Sequence, residues 1–207
     1  NAKQTFVHKI LLPEVSFDED KFLNGVEKDV GDHGYSVIVA SEGLKNKNGE
    51  LYASSTEKDS FGHNQLGGLA PKIASLITEK LSLKNHWSVA DYLQRSARHV
   101  SSQTDIEQAV AVGKAAVKLA AEGKTGVMPI IKRISDSPYE WSISEGDLNE
   151  IANEEKTLPK HFISSDGFRI TKAGRDYLQP LIEGESFPKF SNGIPIYEGL
   201  DLHLRKI

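Results

Sequence analysis

Cysteine is absent from this 207-residue sequence. That excludes disulfides, thiolate metal ligation and a cysteine nucleophile, and it fits a reducing compartment. A basic excess is absent too: 25 Lys and Arg face 29 Asp and Glu, a net charge of -4. This balance argues against a nucleic-acid binder, which normally shows a basic face. No long apolar run exists. "YSVIVA" spans six residues, against the roughly 20 that a membrane-spanning helix needs. No secretory leader pattern and no block of like charges are visible. Three site signatures are also lacking. The seven histidines form no His-x-x-x-His pair for a protein-held metal. No Gly-x-Ser-x-Gly elbow occurs. The Gly-Lys-Ser/Thr ending of a phosphate loop is missing from "GHNQLGG", which reads as turn chemistry at a helix entry.

What is present is an alternation of strand and helix signals. "FVHKILL" reads as a buried strand. A helix follows, started by Asp18, lined by Phe22, Val26 and Val30, and stopped by Gly34. "YSVIVA" is a continuous apolar run, expected to be a strand covered on both faces. From Leu44 to Ser60 the chain is polar and expected to be an exposed loop. A second helix has Pro71 in its first turn and Ile73, Leu76, Ile77 and Leu81 on one face. "HWSVADY" is the next strand candidate. Thr104 and Glu107 give a capping-box pattern for a long helix ended by Gly123. Ile106, Val110, Gly113 and Val117 fall on one face of it, suited to close approach to a sheet. "TGVMPIIKR" and "YEWSIS" read as strands and "GDLNEIANEEK" as a short helix. Thr171 caps a further helix that Pro180 kinks or ends. Strand, helix and strand joined by short links predict an α/β fold with a parallel sheet.

In such sheets ligands sit at the carboxyl ends of the strands. Two segments hold that position. "SEG", Ser41 to Gly43, follows one strand; "YLQR" follows another. Ionised Glu42 accepts hydrogen bonds only. It reads either as a hydroxyl acceptor for a sugar or as a solvated loop glutamate. Arg95 can grip a phosphate through two parallel hydrogen bonds, with Tyr92 adding a hydroxyl; the other reading is a rim of exposed charge. For both to meet one anion, the chain must turn just after Tyr92, because residues three apart share a face only on a helical turn. Arg98 and His99 read as solvated or structural groups.

Six blocks in order, "HKILLPE", "YSVIVASEG", "FGHNQLGGLAP", "DYLQRSARHVSSQTDIEQAVAVGKAAV", "GKTGVMPIIKR" and "YLQPLIEGE", resemble the phosphofructokinase family, in its pyrophosphate-dependent bacterial branch. "SEG" and "YLQRSA" carry most of that likeness. The resemblance covers the carboxyl-terminal half of such an enzyme. It implies a three-layer αβα fold with a mostly parallel, Rossmann-like sheet. The expected organisation is one sugar-phosphate-binding domain over 1–207, with 135–207 less regular and packed over the body. The chain opens on Asn1 and nearly at once enters a strand, so it is expected to be a fragment. If upstream strands complete the sheet, the chain alone would expose apolar surface.

The resemblance assigns substrate binding to Glu42, Tyr92 and Arg95, with Ser41 and Gly43 flanking the carboxylate and Lys156 of "EEKTLP" as a phosphate contact. Glu42 would hold sugar hydroxyls; Tyr92 and Arg95 would bind the 6-phosphate. The family's catalytic aspartate and donor loop are not in this chain, so no catalytic residue and no metal ligand is assigned here. His86 stands where many members carry an arginine. The implied reaction is reversible phosphoryl transfer from pyrophosphate to fructose 6-phosphate, a step of glycolysis giving fructose 1,6-bisphosphate. Mg2+ would be held mainly by substrate and the other half. The implied setting is a cytoplasmic homodimer or larger homo-oligomer, with no membrane or nucleic-acid partner. The alternatives are an ATP-dependent enzyme of the same fold, a non-catalytic sugar-phosphate-binding or regulatory subunit, and an unrelated α/β ligand-binding module.

Overall fold

The structure is a computed structural model that describes residues 6–58 and 64–196. In chain order its elements are β1 (Lys9–Leu11), α1 (Glu19–His33), β2 (Ile38–Ala40), β3 (Ser54–Lys58), β4 (Asn64–Leu66), α2 (Leu69–Leu81), α3 (Leu93–Ser96), α4 (Gln103–Ala121), β5 (Val127–Asp136), β6 (Tyr139–Asp147), α5 (Leu148–Ile151), α6 (Lys172–Leu178), β7 (Phe190–Ser191) and β8 (Ile194–Pro195). They fall into two compact units. The first comprises residues up to Ala90 together with Glu155–Tyr177; the second comprises Asp91–Glu154 and residues from Leu178 on.

The first unit is built on a βαβ motif. β1 and β2 pair in parallel, Lys9 opposite Ile38 and Leu11 opposite Ala40. α1 connects them and has the boundaries its sequence dictates. The Asp18 carboxylate accepts the Lys21 amide at the start, and Gly34, at φ 82°, closes the end in the left-handed conformation that costs glycine least. Its apolar stripe, Phe22, Leu23 and Val26, is buried with Leu11, Phe17, Leu44 and, from α2, Leu69, Ile73, Leu76 and Ile77. The returning segment adds to the pair: the Ile10 amide donates to Phe168 O at 2.9 Å, giving β1 a second backbone partner.

Polar groups are buried against this core. The Lys9 ammonium meets the Asp29 carboxylate at 2.7 Å, with side chains only 6% and 9% exposed. Ser36 donates to the same carboxylate at 2.9 Å. Burial alone pushes the Asp29 pKa up, but the Lys9 and Ser36 hydrogen bonds outweigh it and hold it below the usual carboxylate value. His8, also buried, accepts the Val37 amide on Nδ1 at 3.0 Å, while its own amide donates to Val37 O at 2.9 Å. One imidazole thus extends the ladder by a residue at its entry.

In the second unit, α4 packs on the long antiparallel hairpin β5–β6. Gln108, buried on α4, donates to Tyr139 Oη at 2.7 Å. The segment Leu181–Ser186 ties down the start of α4. Ser102 Oγ donates to Leu181 O at 2.7 Å, and the Gln103 amide donates to Gly184 O at 3.0 Å.

Of the expected three-layer fold on a mostly parallel, Rossmann-like sheet, the described residues show the parallel β1–β2 pair and its connecting helix. They make four two-stranded sheets, of which β1–β2 is parallel and the other three antiparallel. The turns joining β5 to β6 and β7 to β8 are far too short for a parallel crossover; the coarser α/β class stands. β2 is not covered on both faces, because Val37 and Val39 are exposed. "HWSVADY" is irregular and exposed rather than a strand. The polar stretch from Leu44 contributes core and sheet: Leu44 is 1% exposed, and β3 pairs with β4. Asp59 and Ser60 of that stretch, and Gly62 and His63 of "GHNQLGG", lie outside the described residues, as does the tail from 197. The cap of α4 is Ser102, whose Oγ accepts the Asp105 amide, with Thr104 inside the helix. The face of Val110, Gly113 and Val117 is exposed, since the helix meets the hairpin through the side that carries Gln108.

Candidate functional site

The turn after β2 is set by its own hydrogen bonds. The Ser41 amide donates to Leu11 O at 3.1 Å, and the Leu44 amide closes the turn on Ser41 O at 3.0 Å. Ser41 Oγ accepts the Gly43 amide at 3.4 Å. Buried Leu44 anchors the far side. Glu42 is therefore presented at the carboxyl end of a parallel pair by a turn fixed at both ends. Its Oε2 is shut off from solvent and has no hydrogen-bond partner among the described residues. An unmatched buried acceptor costs roughly 1–3 kcal/mol, more when charged, so this carboxylate is poised for donors. A Cβ added at Gly43 would make ordinary contacts, 3.5 Å to Pro13 Cβ and 3.7 Å to Ser41 Oγ. The fold itself leaves room for a side chain there.

The turn after β1 lies against it. The Val15 amide donates to Leu12 O at 3.1 Å, and Pro13 is the residue that Gly43 faces. Next to it, Glu14 reaches across the chain. Its Oε1 accepts the Leu158 amide at 2.8 Å, two residues beyond Lys156. Lys156 is exposed and has no ion-pair partner among the described residues.

In the second unit, Asp91 takes the left-handed conformation at φ 45°, and the chain turns at once into the single turn of α3. The Arg95 and Ser96 amides both donate to Tyr92 O, at 3.0 and 3.1 Å. Tyr92 and Arg95 thus share one helical turn, as a common ligand would require. The Arg95 guanidinium carbon sits 5.6 Å from the Tyr92 ring centroid, within cation–π range. Tyr92 is 71% exposed, and Arg95 has no carboxylate partner among the described residues. Arg98 is structural: its guanidinium donates to Ser186 O, and also to Ser186 Oγ at 3.0 Å. His86 and His99 are exposed.

Sequence reasoning did not single out Glu14 or His8, whose side chains accept the Leu158 and Val37 amides. Both lie inside "HKILLPE", and a carboxylate just past a strand end was the available signal for Glu14. Nothing local reveals that its partner lies 144 positions away. Among the described residues no three His, Asp or Glu side chains gather as a cation cage, and no helix is long and apolar enough to cross a membrane.

No protein-family model matches the chain. It is 55% identical over 188 residues to the pyrophosphate–fructose 6-phosphate 1-phosphotransferase of Methylococcus capsulatus, an alignment covering 91% of this chain and 45% of that protein. It is 50% identical over 196 residues to the protein of the same name from Halomonas elongata, covering 95% and 47%. The crystal structure of pyrophosphate-dependent phosphofructokinase from Nitrosospira multiformis superposes with a TM-score of 0.78 at 45% identity, covering 96% of this chain and 46% of that one. The chain spans about half the length of the curated relatives it matches.

Proposed function

Because the chain belongs to the pyrophosphate-dependent phosphofructokinase family, we propose that it supplies the sugar-phosphate-binding half of an enzyme transferring a phosphoryl group between pyrophosphate and fructose 6-phosphate. Glu42, flanked by Ser41 and Gly43, accepts hydrogen bonds from sugar hydroxyls. Tyr92 and Arg95 bind the 6-phosphate, and Lys156 adds a further cation. The observation that carries the reading is that Glu42, Arg95 and Lys156 lack charged or hydrogen-bonding partners for their functional atoms among the described residues. One oxygen of Glu42 is desolvated and unmatched, and Arg95 and Lys156 lack carboxylate partners among the described residues.

The chemistry follows from positioning and charge neutralisation, which dominate phosphoryl transfer. An arginine fork fixes the phosphate end, while a carboxylate would repel it and so suits the hydroxyl end. Mg2+ would be held mainly by the substrate and the other half of the enzyme, where it would supply charge neutralisation for the transferring phosphoryl group. This chain offers it no cage among the described residues. The catalytic base lies outside this half. The reading places the enzyme in the cytoplasm as a homodimer or larger assembly.

The test is a coupled assay of the complete protein, with pyrophosphate and ATP supplied separately. Activity with pyrophosphate is expected; activity with ATP alone would favour the ATP-dependent alternative, and none with either a regulatory role. Arg95→Ala should raise the KM for fructose 6-phosphate much more than that for pyrophosphate. Losing one charge-assisted contact costs roughly 1.5–3 kcal/mol, or about 10- to 150-fold. Equal effects on both substrates would sink the assignment.

A further inference from the structure

We infer that Glu14 is a positioning residue for Lys156: its carboxylate pins the otherwise irregular 155–159 segment at the carboxyl end of the β1–β2 pair and sets where the Lys156 ammonium can meet a substrate phosphate. This rests on the function proposed above. Residues 155–159 belong to no helix or strand, so little in the backbone fixes them. Within that segment the Leu158 amide donates to Glu14 Oε1 at 2.8 Å. A hydrogen bond to an ionised acceptor is shorter and about twice as strong as a neutral one.

The placement of Glu14 makes this contact more than local tidying. Glu14 belongs to the turn after β1, closed by the Val15 amide on Leu12 O. The preceding residue, Pro13, faces Gly43 in the turn after β2. The two turns and the 156–158 segment thus form one ledge at the carboxyl end of the parallel pair, where α/β folds bind ligands. Glu42 stands on one part of that ledge and Lys156 on another. Lys156 is exposed and unpaired among the described residues, so its side chain is held by its backbone alone, and Glu14 holds that backbone.

The experiment uses the full-length enzyme carrying Glu14→Ala, Glu14→Gln, Lys156→Ala or both alanine changes. KM for each substrate, kcat and thermal midpoint are measured. Glu14→Ala should raise the KM of one phosphorylated substrate by about tenfold, and Lys156→Ala should raise the same KM by a similar factor. The double variant should be no worse than either single one. Glu14→Gln keeps the Oε1 acceptor and should stay within about twofold of wild type, and kcat should hardly move in any of them. Glu14→Ala with unchanged KM values, beside an impaired Lys156→Ala, overturns the inference and leaves the proposed function standing. A Glu14 effect with none from Lys156, or a lowered thermal midpoint with neither KM changed, overturns it too. If Lys156→Ala and Arg95→Ala both leave every KM unchanged, the binding assignment itself fails.

Discussion

Gly25 lies inside α1 and offers a sharp test of how the first unit is packed. Helix propensity alone says that Gly25→Ala should stabilise the protein by roughly 0.8–1 kcal/mol. The surroundings say otherwise. A Cβ at position 25 would stand 2.8 Å from both Cε and Nζ of Lys9. An ordinary lysine tip would swing aside. This one is nearly solvent-free and bound to Asp29 at 2.7 Å, with the Phe168 ring centroid 5.4 Å from its ammonium. Overpacking a filled site costs roughly 1–3 kcal/mol, and separating a buried ion pair costs about 3–5 kcal/mol. Set against that gain, overpacking alone leaves Gly25→Ala between roughly neutral and about 2 kcal/mol destabilising, and loss of the ion pair makes it about 2–4 kcal/mol destabilising. Gly113 is the control, because it too lies in a helix and a Cβ there meets nothing within 4 Å. Gly113→Ala should stabilise by roughly 0.5–1 kcal/mol. Hydrogen exchange of α1 and α4 amides reads the two changes separately, and urea melts give their totals. If Gly25→Ala gains as much as Gly113→Ala, the close seating of Lys9 against α1 is wrong.

Three further outcomes follow from the same contacts. His8→Ala should remove the acceptor of the Val37 amide, costing about 1–3 kcal/mol and sharply lowering exchange protection at Val37; His8→Asn, which keeps a nearby acceptor, should recover part of it. The Asp29 pKa is lower in the folded chain than its ordinary value of 3.8, so the unfolded state binds this proton first. Its contribution is then complete above about pH 4 and fades as pH falls through the lower folded value. An acid melt of Asp29→Asn should lose that slope, and an unchanged slope would contradict the assignment. Ser102→Ala should weaken α4 by about 1 kcal/mol through loss of its N-cap, read as increased exchange at the Asp105 amide.

The parts of this fold that could be read from sequence are those decided by residues within one turn of each other. Asp18 and Gly34 bound α1 where capping chemistry puts them, and Ile73, Leu76 and Ile77 bury the face of α2 that their spacing predicts. The errors have another source. Val37 and Val39 have the apolar run of a covered strand, yet burial depends on what packs above, which the run does not encode. The 110–113–117 face of α4 is apolar and small, but the orientation of the helix follows from Gln108 meeting Tyr139 and from Ser102 meeting Leu181. Ser102 also outcompetes the Thr104–Glu107 capping box, since its hydroxyl serves two partners at once. The same division runs through the candidate site. The turns carrying Glu42 and Tyr92–Arg95 are local and legible. The Glu14–Leu158 contact joins residues far apart in the chain and has no local signature.

The bond from the Ile10 amide to Phe168 O has a consequence for how the chain reaches its native state. Once β1 has left the ribosome, its second partner follows roughly 150 residues later, on the order of ten seconds at typical synthesis rates. The intervening stretch includes all of α4 and the β5–β6 hairpin, whose contacts are mostly short in sequence and quick to form. The first unit therefore waits for Phe168 while the hairpin is already formed, and the start of α4 waits longer still, for Leu181 and Gly184. A nascent chain stalled before Phe168 would hold a finished hairpin while one strand of the βαβ motif still waits, open to chaperones or to wrong pairing.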